Sequence, residues 1–255
     1  MVCPHCAKAQ ATQHSGKGFV ALQGKAEMCL SQFDDGCFDA IISDPPYGAG
    51  ATALLGRLRP SAEKYQQSQT KNKLPDIAGD SMLPEAWAFM MQAVISECYR
   101  CAKPGANLLL FCDWRSLPTF LQIVGAAGFG LKSTLVWNKG RSCRPHKNGF
   151  RSQTEFILWA RKGGHAAPRP KDVYLDGVFS FPTLANGKVH VTEKPLSLMK
   201  ELMRIVPDGG HVLDPFQGSG TTGVAAMAAG CTYVGIEATH HYHKIAVEKL
   251  TAAAR

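Results

Sequence analysis

The chain has 255 residues, of which 45% are hydrophobic, so it can form a packed core and is not a disordered protein. It carries 28 Lys and Arg against 20 Asp and Glu, and this net charge of +8 suggests a polyanionic partner. No stretch approaches the roughly 20 consecutive apolar residues of a membrane span, and the N-terminus lacks the apolar segment of a signal peptide. We therefore expect a cytoplasmic protein with no membrane partner, whose nine cysteines are reduced thiols.

Predicted strands and helices alternate along most of the chain. The predicted strands lie at 38–43, 107–112, 131–137, 155–160, 211–214 and 232–236. The predicted helices lie at 84–99, 117–127, 194–206, 221–229 and 243–254. This alternation is typical of an α/β fold with a mostly parallel, twisted sheet that helices cover on both faces. Residues 50–80 are predicted to form a long polar loop, and residues 161–190 are predicted to be irregular.

The positive charge is concentrated in two stretches that also contain aromatic residues. Residues 139–171 contain nine Lys and Arg and a single acid, Glu155, so this stretch alone carries +8. Residues 57–73 contain five Lys and Arg and one Glu. Basic side chains release counterions from a phosphate backbone and aromatic rings stack on exposed bases, so these stretches favour nucleic acid over a merely solvated surface. Candidate contacts to phosphates or base edges are Arg57, Lys64, Tyr65, Arg141, Arg144, Lys147, Arg151 and Gln153.

A glycine-rich turn at 214–220 stands between a predicted strand and a predicted helix. Glycines let the backbone approach a ligand and the helix presents free N–H groups, so the turn suits a nucleotide or another ligand with an anionic group. Glu237 ends the next strand, where a carboxylate can accept both hydroxyls of a ribose. A phosphate-binding P-loop needs Lys where Gly220 stands, which argues against hydrolysis of a nucleoside triphosphate. A purely structural turn remains the alternative.

The tetrapeptide Asp44, Pro45, Pro46, Tyr47 follows the predicted strand at 38–43. The two prolines fix the backbone and remove two N–H donors, which leaves the Asp44 carboxylate and the Pro45 carbonyl as acceptors. An exocyclic amine of a base is a poor nucleophile because its lone pair is delocalised into the ring. Two acceptors that hold its two hydrogens would free that lone pair, and the Tyr47 ring can stack on a base turned out of the duplex. The alternative is a proline turn with a capping Asp.

With these motifs identified, the sequence resembles the S-adenosylmethionine-dependent DNA amino-methyltransferases of the permuted beta class. In that class the Asp-Pro-Pro-Tyr motif comes first, then a target-recognition region, then the cofactor motif, as at 44–47 and 214–223 here. Matches at 113–115, 136–140 and 192–195 extend the resemblance over about 20–250. It is strongest to adenine-N6 enzymes of phages and prophages that lack a paired nuclease.

The resemblance implies a Rossmann-like methyltransferase fold and a division of the chain. A flexible N-terminus is expected at 1–18, and a catalytic domain at 19–255 with basic target-recognition insertions at about 50–80 and 139–190. Double-stranded DNA is the implied partner, which would associate the protein with the nucleoid. A homodimer is expected because a twofold assembly suits the palindromic sites of many such enzymes.

The resemblance also implies the reaction and its residues. A methyl group would pass directly from S-adenosylmethionine to the N6 amine of a flipped adenine, with no covalent enzyme intermediate and no metal. Asp44 and Pro45, followed by Pro46, would bind the amine, and Tyr47 would stack on the base. Glu237 would hold the ribose, and Lys194 would lie near the carboxylate of the cofactor. The implied cofactor-binding residues are Asp214, Phe216, Gly218, Ser219, Gly220, Thr221, Thr222, Glu237, Thr192, Lys194 and Pro195.

Two features of the sequence leave alternatives open. Relatives commonly carry an acid upstream of the tetrapeptide that reaches the cofactor adenine, but Gly24 and Lys25 stand there, so either Glu27 substitutes or the contact is absent. Asp44 favours adenine, since Ser is the frequent choice of cytosine-N4 enzymes. A cytosine-N4 methyltransferase of the same fold remains an alternative, as do a non-catalytic DNA-binding regulator and a methyltransferase of RNA or protein.

Two clusters of metal-ligating residue types are not interpreted as metal sites, and a disordered or loosely packed terminus is the favoured interpretation of the first. Cys3 and Cys6 have the spacing of half a zinc site, but His14 and Cys29 do not stand at a convincing spacing to complete it. The histidines between 240 and 243 enter the last predicted helix and are interpreted as surface or pocket wall. No metal site is therefore predicted.

Overall fold

The computed structural model describes residues 12–47, 82–143, 147–163, 174–183 and 193–255, together with residues 145 and 165. Its strands are β1 (Thr12–Gly16), β2 (Phe19–Gln23), β3 (Phe38–Ser43), β4 (Ala102–Cys112), β5 (Gly130–Asn138), β6 (Thr154–Arg161), β7 (Val178–Ser180), β8 (His211–Asp214) and β9 (Thr232–Glu237). Its helices are α1 (Ala26–Cys29), α2 (Pro84–Cys101), α3 (Leu117–Ala126), α4 (Leu196–Met203), α5 (Thr221–Ala228) and α6 (His240–Ala253). None of these helices is long and apolar enough to cross a membrane.

The described strands form one sheet in the order β1-β2-β9-β8-β3-β4-β6-β5-β7. The run from β2 through β9, β8 and β3 to β4 is parallel throughout. Strand β6 is antiparallel to both β4 and β5, and β1 is antiparallel to β2. The predicted parallel α/β sheet is thus confirmed in its central strands, and antiparallel strands extend it on both sides.

The sheet topology brings both sequence motifs to one edge. Strands β3, β8 and β9 are parallel, so Ser43, Asp214 and Glu237 all end at the same side, here called the carboxyl edge. Because β6 runs in the opposite direction, it begins at this edge. Glu155 at its start pairs with Trp137 near the end of β5.

Helices cover both faces of the sheet, and alternate residues of each strand face opposite layers. Ile41 packs in the core beneath α1, α2 and α3, whereas Ala40 and Ile42 pack in the core beneath α4, α5 and α6. This two-sided burial explains why β3 is an almost continuous apolar run. Helix α5 approaches the sheet closely at Gly223, where a Cβ would lie 2.5 Å from side-chain atoms of Leu250 and Tyr233.

Two segments differ from the predictions. Residues 12–16 were expected in a flexible terminus, but they pair with β2 as an exposed edge strand; their polar side chains carry no apolar alternation that would predict a strand. Strand β7 lies within the stretch 161–190 that was predicted to be irregular. The strand predicted at 155–160 is confirmed as β6, which lies between β4 and β5 in the sheet. The expected loop at 50–80 lies outside the described residues.

Candidate active site

The Asp-Pro-Pro-Tyr corner leaves the sheet at the end of β3. Pro45 and Pro46 are buried, and neither can donate a backbone hydrogen bond. The indole Nε1 of Trp87 in α2 donates to the Pro46 carbonyl at 2.6 Å. This bond ties the first turn of α2 to the corner that carries Asp44 and Tyr47.

The Asp44 carboxylate belongs to a partly buried cluster of five charged or phenolic groups. Tyr47 Oη lies 2.5 Å from Asp44 Oδ1 and 2.7 Å from Glu155 Oε1. The Lys194 ammonium donates to Asp44 Oδ2 and lies 3.1 Å from Glu155 Oε1. Lys139 Nζ forms an ion pair with Glu155 Oε2 at 3.0 Å. Two carboxylates and two ammonium groups therefore balance each other around the tyrosine hydroxyl.

Burial and charge separate the pKa values of the two carboxyls. Burial raises the pKa of Asp44; Lys194 offsets part of this effect, and the negative Glu155 adds to it. Burial also acts on Glu155, but Lys194 and Lys139 outweigh it and lower its pKa to about 2. Burial and the two carboxylates raise the pKa of Tyr47 well above 10, so the phenol keeps its hydrogen.

The glycine-rich turn after β8 is shaped by two left-handed residues. Gly218 and Gly220 have φ of 51° and 81°, a backbone conformation that favours glycine. Gly220 is the N-cap of α5, whose first N–H groups have no partner within the helix. The Gly218 N–H donates to Glu237 Oε2 at 3.1 Å, which joins the turn to the end of β9.

Asp214 connects the two motifs at the centre of the sheet. Its Oδ1 accepts from the hydroxyl of Ser43 at 2.6 Å and from the backbone N–H of Phe216 at 3.1 Å. The side chain is 1% exposed, and burial raises its pKa to about 6. The end of β3 and the end of β8 are thus held together one residue before Asp44.

Glu237 ends β9 without an ion pair among the described residues. Its two oxygens accept the backbone N–H of Thr239 at 2.8 Å and of Gly218 at 3.1 Å. Burial raises its pKa to about 7 despite these donors. Further hydrogen-bond donors would therefore stabilise the ionised form of this carboxyl.

Both motifs line one cavity of about 220 Å³. Its wall also includes Gly24, Lys25 and Glu27, so the acid left open in the sequence analysis lies at the cavity. The lining residues that the sequence analysis named for the reaction or the cofactor are Asp44, Pro45, Pro46, Tyr47, Lys194, Asp214, Phe216, Gly218, Ser219, Thr221, Thr222 and Glu237.

Two of the expected cofactor residues do not line this cavity. Gly220 is the N-cap of α5 and faces Ala246, with 3.2 Å between its hypothetical Cβ and that residue. Pro195 precedes the first residue of α4, where its fixed φ suits the start of a helix. Lys194 reaches the Asp44 cluster, and its expected place near the cofactor carboxylate stays a prediction. Thr192 lies outside the described residues.

The basic stretch at 139–171 divides into structural residues and exposed ones. Lys162 Nζ donates to the carbonyls of Tyr99 and Ala102 at 2.7 and 2.9 Å and thereby caps the C-terminus of α2. Arg161 Nε donates to Asn107 Oδ1 at 3.3 Å. With the ion pair of Lys139 and a hydrogen bond of Arg151 within its own loop, four of the six described basic residues of this stretch have partners within the fold.

The predicted DNA contacts occupy different environments. Arg141 and Lys147 are exposed. Arg151 Nη1 donates to the Cys143 carbonyl at 2.8 Å, and Gln153 Nε2 donates to Asn138 Oδ1 at 3.3 Å, so both are engaged in their own loop. Arg57, Lys64, Tyr65 and Arg144 lie outside the described residues.

Sequence reasoning missed Glu155 as a site residue. One feature of the sequence does single out Glu155: it is the only acid among nine basic residues, and it stands at the start of a predicted strand. Glu155 lies at the carboxyl edge because β6 is antiparallel to β4, and the sequence does not show the direction of that strand. Lys139 was counted among the basic residues, but it forms an ion pair with Glu155.

The described residues contain no group of three metal-ligating side chains that could hold a metal ion. His243 is buried, with its Nε2 3.1 Å from Nδ1 of His14. Burial lowers its pKa to about 4, so it is neutral near pH 7. Cys3 and Cys6 lie outside the described residues.

Comparisons with known proteins agree with this geometry. The family model of the N6/N4 DNA methylases matches residues 38–248. The predicted methylase YubD of Escherichia coli (strain K12) is 30% identical over 235 residues, which cover 92% of this chain and 91% of that protein. The type II methyltransferase M2.DpnII of Streptococcus pneumoniae is 27% identical over 246 residues, covering 88% and 86%.

Solved methyltransferases share the fold. The crystal structure of M1.HpyAVI with SAM has a TM-score of 0.67 at 23% identity and covers 91% of this chain and 98% of that one. The cytosine-N4-specific PvuII DNA methyltransferase has a TM-score of 0.64 at 13% identity, covering 93% and 91%. The matched family model and the 30% identical relative both span the two motifs that meet at the cavity. The chain therefore belongs to the N6/N4 family of DNA methylases.

Proposed function

We propose that this protein is a site-specific DNA methyltransferase that transfers a methyl group from S-adenosylmethionine to the N6 amine of an adenine turned out of duplex DNA. One observation carries the proposal: the Asp44 corner and the glycine-rich turn after β8 line the same cavity. Such a cavity admits a base from one motif and a cofactor from the other. The family membership supports DNA as the substrate.

The residues of the glycine-rich turn fit the proposed cofactor. Glu237 has backbone donors but no ion pair among the described residues, so its carboxylate suits the two hydroxyls of a ribose. The N-terminus of α5 after Gly220 offers N–H groups to a carboxylate. When bound, the cofactor supplies an activated methyl group on a sulfonium. The protein has only to position the acceptor, stabilise charge and exclude water.

The proline corner suits the acceptor base. Asp44 and the Pro45 carbonyl accept the two hydrogens of the exocyclic amine, and the Tyr47 ring stacks on the base. A bound cofactor would supply the methyl group to this nitrogen while Asp44 and the Pro45 carbonyl hold it in place. The amine then loses one proton. Lys194 contacts Asp44 Oδ2 in this structure, so the ammonium has to move away from Oδ2 before the amine can bind there.

Adenine is the proposed target because Asp44 stands at the first position of the tetrapeptide, where the resembling adenine enzymes carry Asp. Cytosine N4 is the second candidate, since cytosine presents the same kind of exocyclic amine and a cytosine-N4 enzyme has a similar fold. Hydrolysis of methyl-labelled DNA to nucleosides separates N6-methyladenine from N4-methylcytosine and decides between the two.

The exposed Arg141 and Lys147 are the described candidates for phosphate contacts. Arg151 is proposed to read a base edge or to order the loop that carries it. Replacing Arg151 with Ala removes it from the reading role if DNA affinity and sequence preference do not change. We also propose a homodimer on DNA, which analytical ultracentrifugation with and without duplex would test.

The central experiment incubates the purified chain with methyl-labelled S-adenosylmethionine and, separately, unmethylated DNA, RNA and protein. Label should enter DNA alone, and long-read mapping in cells that express the chain should find N6-methyladenine at one short sequence. Asp44→Ala serves as the inactive control. Cofactor binding without transfer to any substrate would favour a regulator, and failure to bind S-adenosylmethionine would overturn the proposal.

A further inference from the structure

An exposed tryptophan stands at the carboxyl edge of the sheet. Trp114 lies in the turn after β4 and is 63% exposed. Trp87 and Trp137 are 4% and 3% exposed and Trp159 is partly buried, so Trp114 is the most exposed of the four tryptophans. A single exposed apolar side chain is common on protein surfaces and needs no explanation by itself. The position and the rigidity of this one set it apart.

The sheet order places Trp114 between the two parts of the chain that are proposed to meet DNA. On one side of β4 lies β3, whose end leads to Asp44. On the other side lies β6, whose start follows the loop with the exposed Arg141 and Lys147. Because β3 and β4 are parallel, the turn after β4 is at the same edge as the Asp44 corner.

The end of β4 is also close to the charged cluster around Asp44. Burial raises the pKa of the Cys112 thiol to about 12, and the negative charges of Glu155, Asp113 and Asp44 contribute to this rise. Trp114 follows Cys112 by two residues, so their Cα atoms are at most about 7 Å apart. DNA that delivers a base to the Asp44 corner therefore passes the indole.

Asp113 holds the turn that presents this indole. Its Oδ1 accepts the backbone N–H of Arg115 at 2.8 Å, and its two oxygens accept Nε and Nη2 of the same guanidinium at 2.8 and 2.9 Å. Its carbonyl accepts the N–H groups of Ser116 and Leu117 at 3.1 and 3.0 Å. Arg115 Cζ lies 5.8 Å from the centroid of the Trp114 ring. A ring held in this way loses little conformational freedom when a partner covers it.

A base that turns out of a duplex leaves a gap in the stack. The bases that border the gap lose a stacking neighbour, which is part of the cost of turning the target out. An aromatic side chain can take the place of the lost neighbour, because every base presents a π face. Such a contact involves no phosphate, so it adds to the ionic contacts without changing their dependence on salt.

We propose that Trp114 stacks on a base that borders the gap left by the target base and thereby favours the flipped state of the target. This inference rests on the proposed function, because the gap exists only when a base is turned out. Trp114 is then a specificity-determining residue: it strengthens binding where the target is flipped and contributes little on other DNA.

The test compares two duplexes of equal length, one with and one without the sequence that long-read mapping identifies. Fluorescence anisotropy is measured with S-adenosylhomocysteine, which allows no transfer. Trp114→Ala should weaken binding to the duplex with the site by about tenfold and to the other duplex by less than about twofold. Trp114→Phe keeps a ring and should stay within about threefold of the wild type on both duplexes. Trp114→Leu keeps an apolar side chain without a ring and should lose as much as Trp114→Ala.

Two further readouts report on stacking itself. Titration with the site duplex should quench tryptophan emission in the wild type, and Trp114→Phe should remove most of this quench because Trp87 and Trp137 are buried. The slope of log affinity against log salt should be the same in Trp114→Ala and the wild type, since no phosphate contact is lost.

Leu131→Ala is the matched control. Leu131 is 45% exposed and pairs with Ala160 near the end of β6, so it lies at the edge of the sheet opposite to Trp114. This variant removes an exposed apolar side chain away from the reaction centre, and it should bind both duplexes like the wild type.

The outcomes separate this inference from the proposed function. If the wild-type chain transfers no label to DNA, the proposed function fails and this inference fails with it. If the wild type is active and Trp114→Ala keeps its affinity for the site duplex, this inference alone is overturned. Equal losses of Trp114→Ala on both duplexes would overturn it as well, and so would full affinity of Trp114→Leu. Should Trp114→Ala fail to fold, as judged by thermal unfolding, the emission of the wild type and of Trp114→Phe still decides: an unquenched wild type contradicts stacking.

Discussion

Binding of S-adenosylmethionine should become tighter as the pH rises through 7, and Glu237→Gln should abolish this dependence. Burial raises the pKa of Glu237 from 4.5 to about 7, more than the N–H donors of Thr239 and Gly218 offset. Ribose hydroxyls donate to the ionised carboxylate, so the cofactor favours that form and lowers its pKa. Binding between about pH 6 and 7 therefore releases a proton.

The size of the effect follows from the raised pKa. With a value of about 7, the ionised fraction of Glu237 rises from about a tenth at pH 6 to about nine tenths at pH 8, so affinity should rise about tenfold. The raised pKa of Glu237 also affects the stability of the protein without cofactor. A pKa raised from 4.5 to about 7 costs the fold up to about 3 kcal/mol once Glu237 is ionised. Because the raised pKa favours the protonated form, this cost is absent below pH 4.5 and complete above pH 7.

Isothermal titration calorimetry at pH 6, 7 and 8 in two buffers of different ionisation enthalpy measures both affinity and proton release. Any titration of the cofactor itself is common to both proteins, so the difference between wild type and Glu237→Gln isolates the carboxyl. About half a proton should be released at pH 7 by the wild type. A wild-type affinity that changes less than twofold, or a variant that keeps the tenfold change, would refute the reasoning.

Three further predictions test the fold and the DNA surface. Gly223→Ala places a Cβ 2.5 Å from Leu250 and Tyr233 side-chain atoms, so urea denaturation should show a loss of about 1–3 kcal/mol, and a loss below about 0.5 would contradict this packing. Lys162→Met removes the cap of α2 and should cost about 2 kcal/mol with unchanged DNA affinity; a tenfold weaker affinity would place Lys162 at the DNA instead. Replacing Arg141 and Lys147 together by Ala should reduce the slope of log affinity against log salt by about 1.8, measured by fluorescence anisotropy, and an unchanged slope would remove both from the phosphate contacts.

The parts of the site that local sequence determines were predictable. The apolar run of β3 stops at two prolines, and the glycines after β8 permit left-handed backbone, so both corners were visible as strand ends. Their meeting followed from the rule that parallel strands present their carboxyl ends at one edge. Glu237 was found by the same reasoning, since it ends the strand that follows the glycine turn.

What depends on pairing partners was not predictable. Lys139, Arg161 and Lys162 look alike in the sequence, yet one pairs with Glu155, one bonds Asn107 and one caps a helix. Charge alone does not distinguish a solvated side chain from one that satisfies a buried acceptor. The exposed strand β1 was missed for a related reason: its pairing with β2 is made by the backbone, and its five polar or small side chains leave no pattern.

The loop between β5 and β6 carries the described basic candidates for DNA contact. Its two ends are bonded to each other and to the charged cluster around Asp44. The Lys139 N–H donates to the Gln153 carbonyl at 2.7 Å, and the Lys139 ammonium holds Glu155, the partner of Tyr47. If this loop contacts DNA as proposed, we expect a shift of the loop to reach Glu155 through these two bonds. Discrimination between DNA sequences would then be expressed in the speed of methylation as well as in the strength of binding.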